Sequence, residues 1–473
     1  MSSSASIQAA IAAHRFGLGE PSLVALRTDP QGWLLAQIGP ADPAHGDGLL
    51  STAQALDLVA AEREMRQRAR APQMAASAGA FAEQPLASHY RETILADIRS
   101  RLATAATTKR PFAERLLLFW CNHFTVSLAK GSTRGLVGTF ERDAIRPHIA
   151  GSFETLLMAS TTHPAMLRYL DNGLSAGPRS RVVARAAQRA AGTGQGPRVT
   201  GLNENLAREV LELHTLGAES GRGQVTPGGG YTQTDVTAFA RVLTGWRGGL
   251  RSPDAGGGFD PAWHEPGRKT VLGKDYGEGP DALRQVLHDL ARHPATARLV
   301  ATKLARHFVA DEPPAALVER LAAAYLRHDG QLAELYRELV RSPEAWSPAL
   351  AKLKTPEELV LSSMRLLGLG ARRLERFDAG GITALGQRIH AAPSPAGWSD
   401  RAEDWLSPDA VWKRVEWAAR VADRSGRGID ARELAGNALG EWLSQATRQQ
   451  IERAADATQA LALLLMSPEF QRR

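Results

Sequence analysis

The chain has 473 residues, 43% hydrophobic and 23% charged, which is enough length and apolar content for a large core and excludes a disordered or low-complexity polymer. The formal charge of +7 comes largely from arginines scattered along amphipathic stretches and concentrated only at 178–198, PRSRVVARAAQRAAGTGQGPR; with no aromatic-interleaved basic patch, nucleic acid is not an expected partner. The single cysteine, Cys121, excludes an intrachain disulfide and a cysteine-based zinc cluster, and within LLLFWCNHF it reads as a small buried hydrophobe.

Helical periodicity dominates, and the Ala-, Leu- and Arg-rich composition supports it through intrinsic propensity. Helices are predicted over 5–14 and 22–37, joined at Arg15-Phe16-Gly17-Leu18-Gly19. Longer polar-faced helices follow at 53–71 and 85–106, with a loose Ala/Gly/Ser stretch over 72–84 between them. Pro111 opens a strongly apolar helix through ERLLLFWCNHF, since proline suits a first helical position. Further helices are read at 135–149 and 152–160, and His163-Pro164 starts another through Tyr169.

Residues 174–202, rich in Arg, Gly and Ala, lack a convincing apolar face and read as a mobile insertion. The segment Asn203–Trp246 holds a helix dense in Glu, Arg and Asn, a Gly-rich turn and a second helix ending in Thr244-Gly245-Trp246. After it, 247–280 shifts to Gly, Pro and Asp and reads as a functional loop, with a short β-hairpin near 269–272. Helices resume at 280–292, 294–309, 313–328, 330–341, 355–369 and 408–425, and the last spans about 446–466. The fold class is therefore all-α: one large multi-helix domain, 1–473, with long Gly/Pro-rich loops. No apolar run is long enough for a membrane span and no basic-then-apolar leader is visible at Met1, so the expected location is cytoplasmic.

Projected at about 100° per residue, 204–216 places Leu206, Val210, Leu213 and Leu216 on one side. Glu204, Asn205, Arg208, Glu209 and Glu212 form an arc on the other, and His214 points away from both centres. Arg208 lies four residues from both Glu204 and Glu212, so it can bridge two carboxylates. The arc fits either a solvated face with i,i+4 ion pairs or a polar site supplying carboxylates to a cation or to acid–base chemistry. A second polar cluster, Trp120, Asn122 and His123, interrupts the apolar helix. His14 is equally ambiguous between core and function. His264, on a Gly/Pro loop, is the candidate for a mobile functional histidine. Walker A, HExxH and Gly-x-Ser-x-Gly motifs are absent from the sequence.

Several blocks, in this order and spacing, resemble a large bacterial family called domain of unknown function 1800: HRFGLG at 14–19, FWCNHFTVS at 119–127, HPAMLRYLDN at 163–172, NENLAREVLELHTLG at 203–217, YTQTDVTAFARVLTGW at 231–246, HEPGRKTVLG at 264–273, KLARHFVADEPP at 303–314, KLKTPEELVLSSMRLLG at 352–368 and AGWSDRAEDWLSP at 396–408. The resemblance runs almost end to end and implies a mostly helical fold of undefined activity. It adds that members are often exported and often encoded beside a sulfatase-like or phosphatase-like protein, a potential partner. Without a visible leader, a periplasmic location here would require a carrier partner or another start codon. The 174–202 link is also longer and richer in arginine than the family pattern.

The resemblance draws attention to the polar residues of its blocks: Asp171, Asn172, Asn205, Arg208, Glu209, Glu212, His214, Tyr231, Asp235, Arg241 and Trp246. Two functional readings are then open. In the first, an enzyme acts on an anionic substrate. Glu209, Glu212, Arg208, His264 and Lys269 are its catalytic candidates, and Asn205, Tyr231, Arg241 and Trp246 its substrate-binding ones. Glu209, Glu212 and Asp235 are candidate ligands for a divalent Mg, Mn or Ca ion. In the second, a non-catalytic helical partner of the co-encoded hydrolase presents Trp398, Trp405, Trp412 and Trp417 as an interaction surface. Binding of an acidic polymer through 178–198 is a third, weaker reading.

Overall fold

Proline fixes many of the helix starts. Pro111, Pro164, Pro294, Pro356 and Pro408 each occupy a first helical position, where the missing N–H costs nothing. The residue before the proline often closes the turn. His163 Nδ1 accepts from the Ala165 N–H at 3.1 Å, and His293 Nδ1 does the same for Ala295. The computed structural model describes residues 4–69, 79–193, 201–221, 229–248, 258–369 and 379–473. Among them the architecture is all-α, with one two-stranded hairpin pairing Lys269–Val271 against Lys274–Tyr276.

Three turns within helices are π rather than α: Ile11–Phe16, Phe140–Ile145 and Val210–Thr215. A π turn closes i→i+5 hydrogen bonds and so carries one more residue than an α turn, which rotates the helix beyond it. Each of the three holds a buried polar side chain, His14 and Arg15 in the first, Glu141 in the second and His214 in the third.

Several predicted boundaries move. The 22–37 helix is split into Val24–Leu26 and Pro30–Leu35, because Pro30 cannot continue a helix and Asp29 caps the new one through the Gly32 N–H. The final helix is two, Gln445–Glu452 and Ala457–Met466, with Asp456 capping the second. Residues 70–78 lie outside the described residues, but a helix already runs from Gly79 to Thr107, into the stretch read as loose.

The insertion at 174–202 is in part a helix, Arg181–Thr193, a length of mostly Ala and Arg that propensity alone favours. The Val182 N–H ties it to the Ala262 carbonyl at 3.1 Å. Residues 194–200 lie outside the described residues. The 247–280 loop contains the expected hairpin, whose turn places Leu272 and Gly273 both at positive φ (50° and 74°).

Two apolar clusters form the interior. The larger joins the N-terminal helices to most of the chain through Trp346. The second joins 359–369 and 382–389 to the helices after Trp417. The Pro111–His123 helix serves both, giving Phe112, Leu117 and Trp120 to the first and Leu118 to the second. Among the described residues, no helix is long and apolar enough to cross a membrane.

Candidate functional site

The polar helix begins as an α segment, Asn205–Glu209, and passes into the π turn Val210–Thr215. Thr215 Oγ1 donates to the Val210 carbonyl five residues back at 2.7 Å. The extra residue corrects the uniform 100° projection: Leu211 and His214 turn into the core, and Leu213 is only half-buried. The His214 ring lies tilted beside that of His123 (ring centroids 6.0 Å apart), and its carbonyl receives the His123 Nε2 hydrogen bond at 3.2 Å. Burial lowers the His214 imidazole to about 3 and carries His123 well below its ordinary value. His14, with Nε2 2.7 Å from the Ala438 carbonyl, is likewise held down to about 3 by burial. These three imidazoles are neutral core groups at physiological pH.

The carboxylate arc divides in two. Glu204 accepts from Thr237 Oγ1 (2.6 Å), Gln233 Nε2 (2.7 Å) and Arg208 (3.2 Å), and the Thr237 bond does most to hold its carboxyl below the usual range. Arg208 spends its other contact on Gln233 Oε1 at 2.9 Å. It therefore does not bridge Glu204 to Glu212. Glu209 and Glu212 stand together further along, and burial, then the charge of Glu212, pushes the Glu209 carboxyl up. Asn205 is exposed, and its backbone N–H donates to the Asn203 side-chain oxygen at 2.9 Å.

Asp235 does not join this pair. Its Oδ2 accepts from the Thr232 N–H (2.8 Å) and hydroxyl (2.7 Å), closing a capping box, and its Oδ1 accepts from the Leu272 N–H at 2.7 Å. Both oxygens are thus used to start one helix and to seat the hairpin upon it. Among the described residues no three His, Cys, Asp or Glu side chains are grouped to hold a metal ion, so the proposed Glu209–Glu212–Asp235 ligand set is not assembled.

His264 is the largest departure from expectation. It is buried, not exposed, and packs against Phe259 with centroids 5.1 Å apart. Its Nδ1–H donates to the Thr244 carbonyl at 2.7 Å. Its Nε2 accepts from the Gly279 N–H (3.1 Å) and from Lys269 Nζ (2.9 Å). A carbonyl can only accept and a backbone N–H can only donate, so the tautomer is fixed with the proton on Nδ1. Burial lowers this imidazole. Gly245 allows the approach: its φ is +93°, and a Cβ there would meet the Phe259 ring at 2.7 Å.

Lys269 donates to the Glu265 carbonyl at 2.5 Å as well as to His264. An ammonium has three N–H groups, so one position remains. Burial lowers its ammonium to about 8 against the opposing charges of Glu278 and Glu265. It opens on a cleft of about 440 Å³ between the hairpin and the outer face of the Gln233–Leu243 helix. Arg179, Arg241 and Arg268 line the same cleft, with Glu265 as its carboxylate. Glu265 is committed to Arg179, taking Nε at 2.7 Å and the backbone N–H at 2.8 Å. Arg241 and Arg268 are exposed, and neither guanidinium has a hydrogen bond or ion pair among the described residues. The structure thus brings Lys269 and Arg241 together, with His264 holding the lysine. It leaves Glu209 and Glu212 outside the cleft lining.

The remaining block residues tie loops to helices. Asn172 Nδ2 donates to the carbonyls of Leu243 (3.0 Å) and Trp246 (2.8 Å), fastening the end of the Gln233–Leu243 helix. Asp171, at φ 57°, pairs with Lys130. Trp246 and Tyr231 are buried, Trp246 against Phe259. Asn122 clamps Trp398 twice, Nδ2 to its carbonyl and Oδ1 from its N–H, both at 2.8 Å.

That clamp borders a second, partly open cavity of about 80 Å³ at the junction of the two apolar clusters. Arg101 donates to Glu357 (2.7 Å) and Glu141 (2.5 Å) on its wall, and His390 Nε2 lies 3.2 Å from Glu141. Arg146 adds a two-pronged contact to Glu114 (2.8 and 3.0 Å) and one to Glu141 (3.0 Å). On the opposite side Arg115 and Arg473 hold Glu358, whose carboxyl they keep far below the usual range against the cost of burial. Cys121 lines this cavity, and burial pushes its thiol up, which fits the inert reading. None of these charges was singled out from the sequence. Their only signal was the placing of Glu114-Arg115 inside an apolar run, because, apart from Glu141 and Arg146, their partners lie tens to hundreds of residues away.

A family model described as "Protein of unknown function (DUF1800)" matches residues 11–472. No curated protein and no solved structure matches the chain.

Proposed function

We propose, for a chain that belongs to the DUF1800 family of proteins of unknown function, that it is an enzyme acting on an anionic substrate held in the cleft under the Lys269–Val271 strand. One observation carries the reading: Arg179, Arg241, Arg268 and Lys269 line one cleft with a single carboxylate, and two of the guanidiniums have no partner among the described residues. Like charges so gathered repel one another and are relieved by an anion, which guanidiniums grip with charge-assisted, often two-pronged hydrogen bonds. Thr234 adds a hydroxyl to the same lining, while those of Thr237 and Thr270 are given to Glu204 and Asp275.

Lys269 is the acid–base group of this reading. With its ammonium at about 8, about a tenth of it is neutral amine at pH 7, far more than an ordinary lysine offers. His264 positions that amine and has no free lone pair of its own. The test has two steps. Inorganic phosphate, sulfate and acetate are titrated against the protein by calorimetry, then phosphate and sulfate monoesters are offered as substrates. Saturable anion binding lost in the Arg241→Ala/Arg268→Ala double variant, and turnover lost in Lys269→Met, support the reading. Binding that survives the double variant rejects it.

A second reading, a helical partner for a co-encoded sulfatase-like or phosphatase-like protein, rests on a different surface. Trp412 is 62% exposed beside Val411, Val415 and Leu406, whereas Trp405 and Trp417 are buried and cannot serve as surface anchors. Co-purification of the neighbouring gene product, abolished by Trp412→Ser, tests it.

A further inference from the structure

The surroundings of Lys269 differ from those of four other lysines. Lys130, Lys274, Lys352 and Lys413 each pair with a carboxylate. Lys269 is buried and makes no ion pair among the described residues. Its Nζ meets two neutral acceptors instead, the Glu265 carbonyl at 2.5 Å and His264 Nε2 at 2.9 Å. Neither donates in return. A carbonyl has no proton, and His264 carries its own on Nδ1, facing the Thr244 carbonyl.

Two acceptors match a neutral amine. An –NH2 group has two N–H donors and one lone pair, so both donors are satisfied here and the lone pair is left over. The ammonium brings a third donor and a charge, with no carboxylate in contact to receive either. Burial acts in the same direction, lowering the ammonium to about 8 against the attraction of Glu278 and Glu265. A lysine kept uncharged by its surroundings is a nucleophile towards carbonyl carbon. This one lines the cleft that also holds Arg241 and Arg268, whose guanidiniums have no partner among the described residues.

We propose that Lys269 is the nucleophile of this cleft and that the substrate is a carbonyl compound carrying an anionic group, a 2-oxo acid in its smallest form, whose carboxylate rests on Arg241 and Arg268 while its keto carbon joins Lys269 Nζ. This rests on the anion-cleft reading above and adds a substrate class to it. The Nζ lone pair forms the N–C bond as the carbonyl π pair moves to oxygen. The attacking nitrogen, now acidic, releases one proton to His264 Nε2, because the Glu265 carbonyl is too weak a base to hold it. The oxygen takes two protons from solvent, the C–O bond breaks, and water leaves. One N–H stays on the resulting iminium nitrogen. The step consumes one proton net and needs no oxidant or reductant.

The experiment incubates the full-length protein with pyruvate and sodium cyanoborohydride, which reduces an iminium in preference to a ketone, and locates the carboxyethylated lysine by peptide mass spectrometry. Acetone, a ketone without the carboxylate, runs beside it. Modification by pyruvate is expected roughly tenfold or more faster at Lys269 than at the exposed Lys109, and faster than with acetone by a similar factor. The Arg241→Ala/Arg268→Ala double variant should erase the preference for pyruvate. Trapping spread evenly over the lysines, or equal rates with pyruvate and acetone at Lys269, overturns the proposal. So does pyruvate that binds by calorimetry and is not trapped at Lys269; the anion cleft would then stand, with Lys269 as a proton carrier only. Pyruvate that is neither bound nor trapped, in a protein that also binds no phosphate or sulfate, rejects both readings. Because trapping is read in the unaltered protein, the outcome does not depend on any variant folding.

Discussion

His264 holds Lys269. The imidazole Nε2 lies 2.9 Å from Lys269 Nζ, while its other nitrogen is pinned 2.7 Å from the Thr244 carbonyl. The pair links the end of the Gln233–Leu243 helix to the first hairpin strand, so the position of the amine depends on both elements.

The sign of the Lys269 shift gives a pH test. Its folded value, about 8, lies below the ordinary 10.5, so between these values the unfolded chain binds more protons than the folded one. Stability arising from Lys269 therefore increases as pH rises from about 8 to 10.5. Other buried lysines contribute to the same window, so the expected outcome is a difference: Lys269→Met should flatten the rise seen in the unaltered protein. Denaturant unfolding at pH 7.5, 9 and 10 measures it, and parallel curves for the two proteins would exclude a depressed Lys269.

Arg241 has no partner to lose among the described residues. Arg241→Ala should leave the unfolding free energy within about 0.5 kcal/mol and weaken anion binding by roughly tenfold, the worth of one charge-assisted hydrogen bond. Calorimetry with phosphate and a chemical melt separate the two quantities.

Asp235 should behave as a structural group. Asp235→Ala removes the capping box and the Leu272 anchor together, at a cost of about 1–2 kcal/mol. Asp235→Asn keeps an oxygen for one of these bonds and should recover part of the loss. The ratio of the two, read from urea midpoints, would be unchanged by added Mg²⁺; a cation-dependent ratio would restore Asp235 as a ligand.

Glu209 and Glu212 interact through their charges. Burial and then Glu212 raise the Glu209 carboxyl, so the folded state takes up a proton there at higher pH than the unfolded chain does. Stability from this group is therefore present at low pH and lost as pH climbs through the folded value. Glu212→Gln should lower the Glu209 midpoint towards the ordinary carboxylate range in a ¹³C-carboxyl titration. An unmoved midpoint would mean that the two side chains do not face one another.

Arg101 joins two carboxylates beneath the surface. Arg101→Met should cost about 3–5 kcal/mol, because Glu357 loses its guanidinium while still buried. Adding Glu357→Gln to Arg101→Met should recover a substantial part of that loss.

The helices were legible because apolar spacing and proline starts are local signals: Pro111, Pro164 and Pro408 each begin a helix where the sequence placed one. Lys269 and Arg241 were legible as polar residues of dense blocks, although nothing local showed that they share a cleft. Three features escaped. The π turn at Val210–Thr215 has no composition of its own and moved His214 into the core. The burial of His264 depends on Phe259 and Gly279, which its loop brings back upon it. The Arg101, Glu141, Glu357 and His307 walls of the second cavity come from segments up to hundreds of residues apart, and pairings at that range leave no periodicity to read.

The three π turns give chain length itself a meaning here. Each is a helix with one residue too many, and removing that residue would let the segment relax into ordinary α geometry. A one-residue deletion within Phe140–Ile145 would turn the side chains on one flank by about 100° relative to the other. Glu141 could not then meet Arg101, Arg146 and His390 at once. Chains of this kind should thus tolerate a conservative replacement at 140–145 more readily than the loss of any one position, because the spacing carries the register of the buried charges.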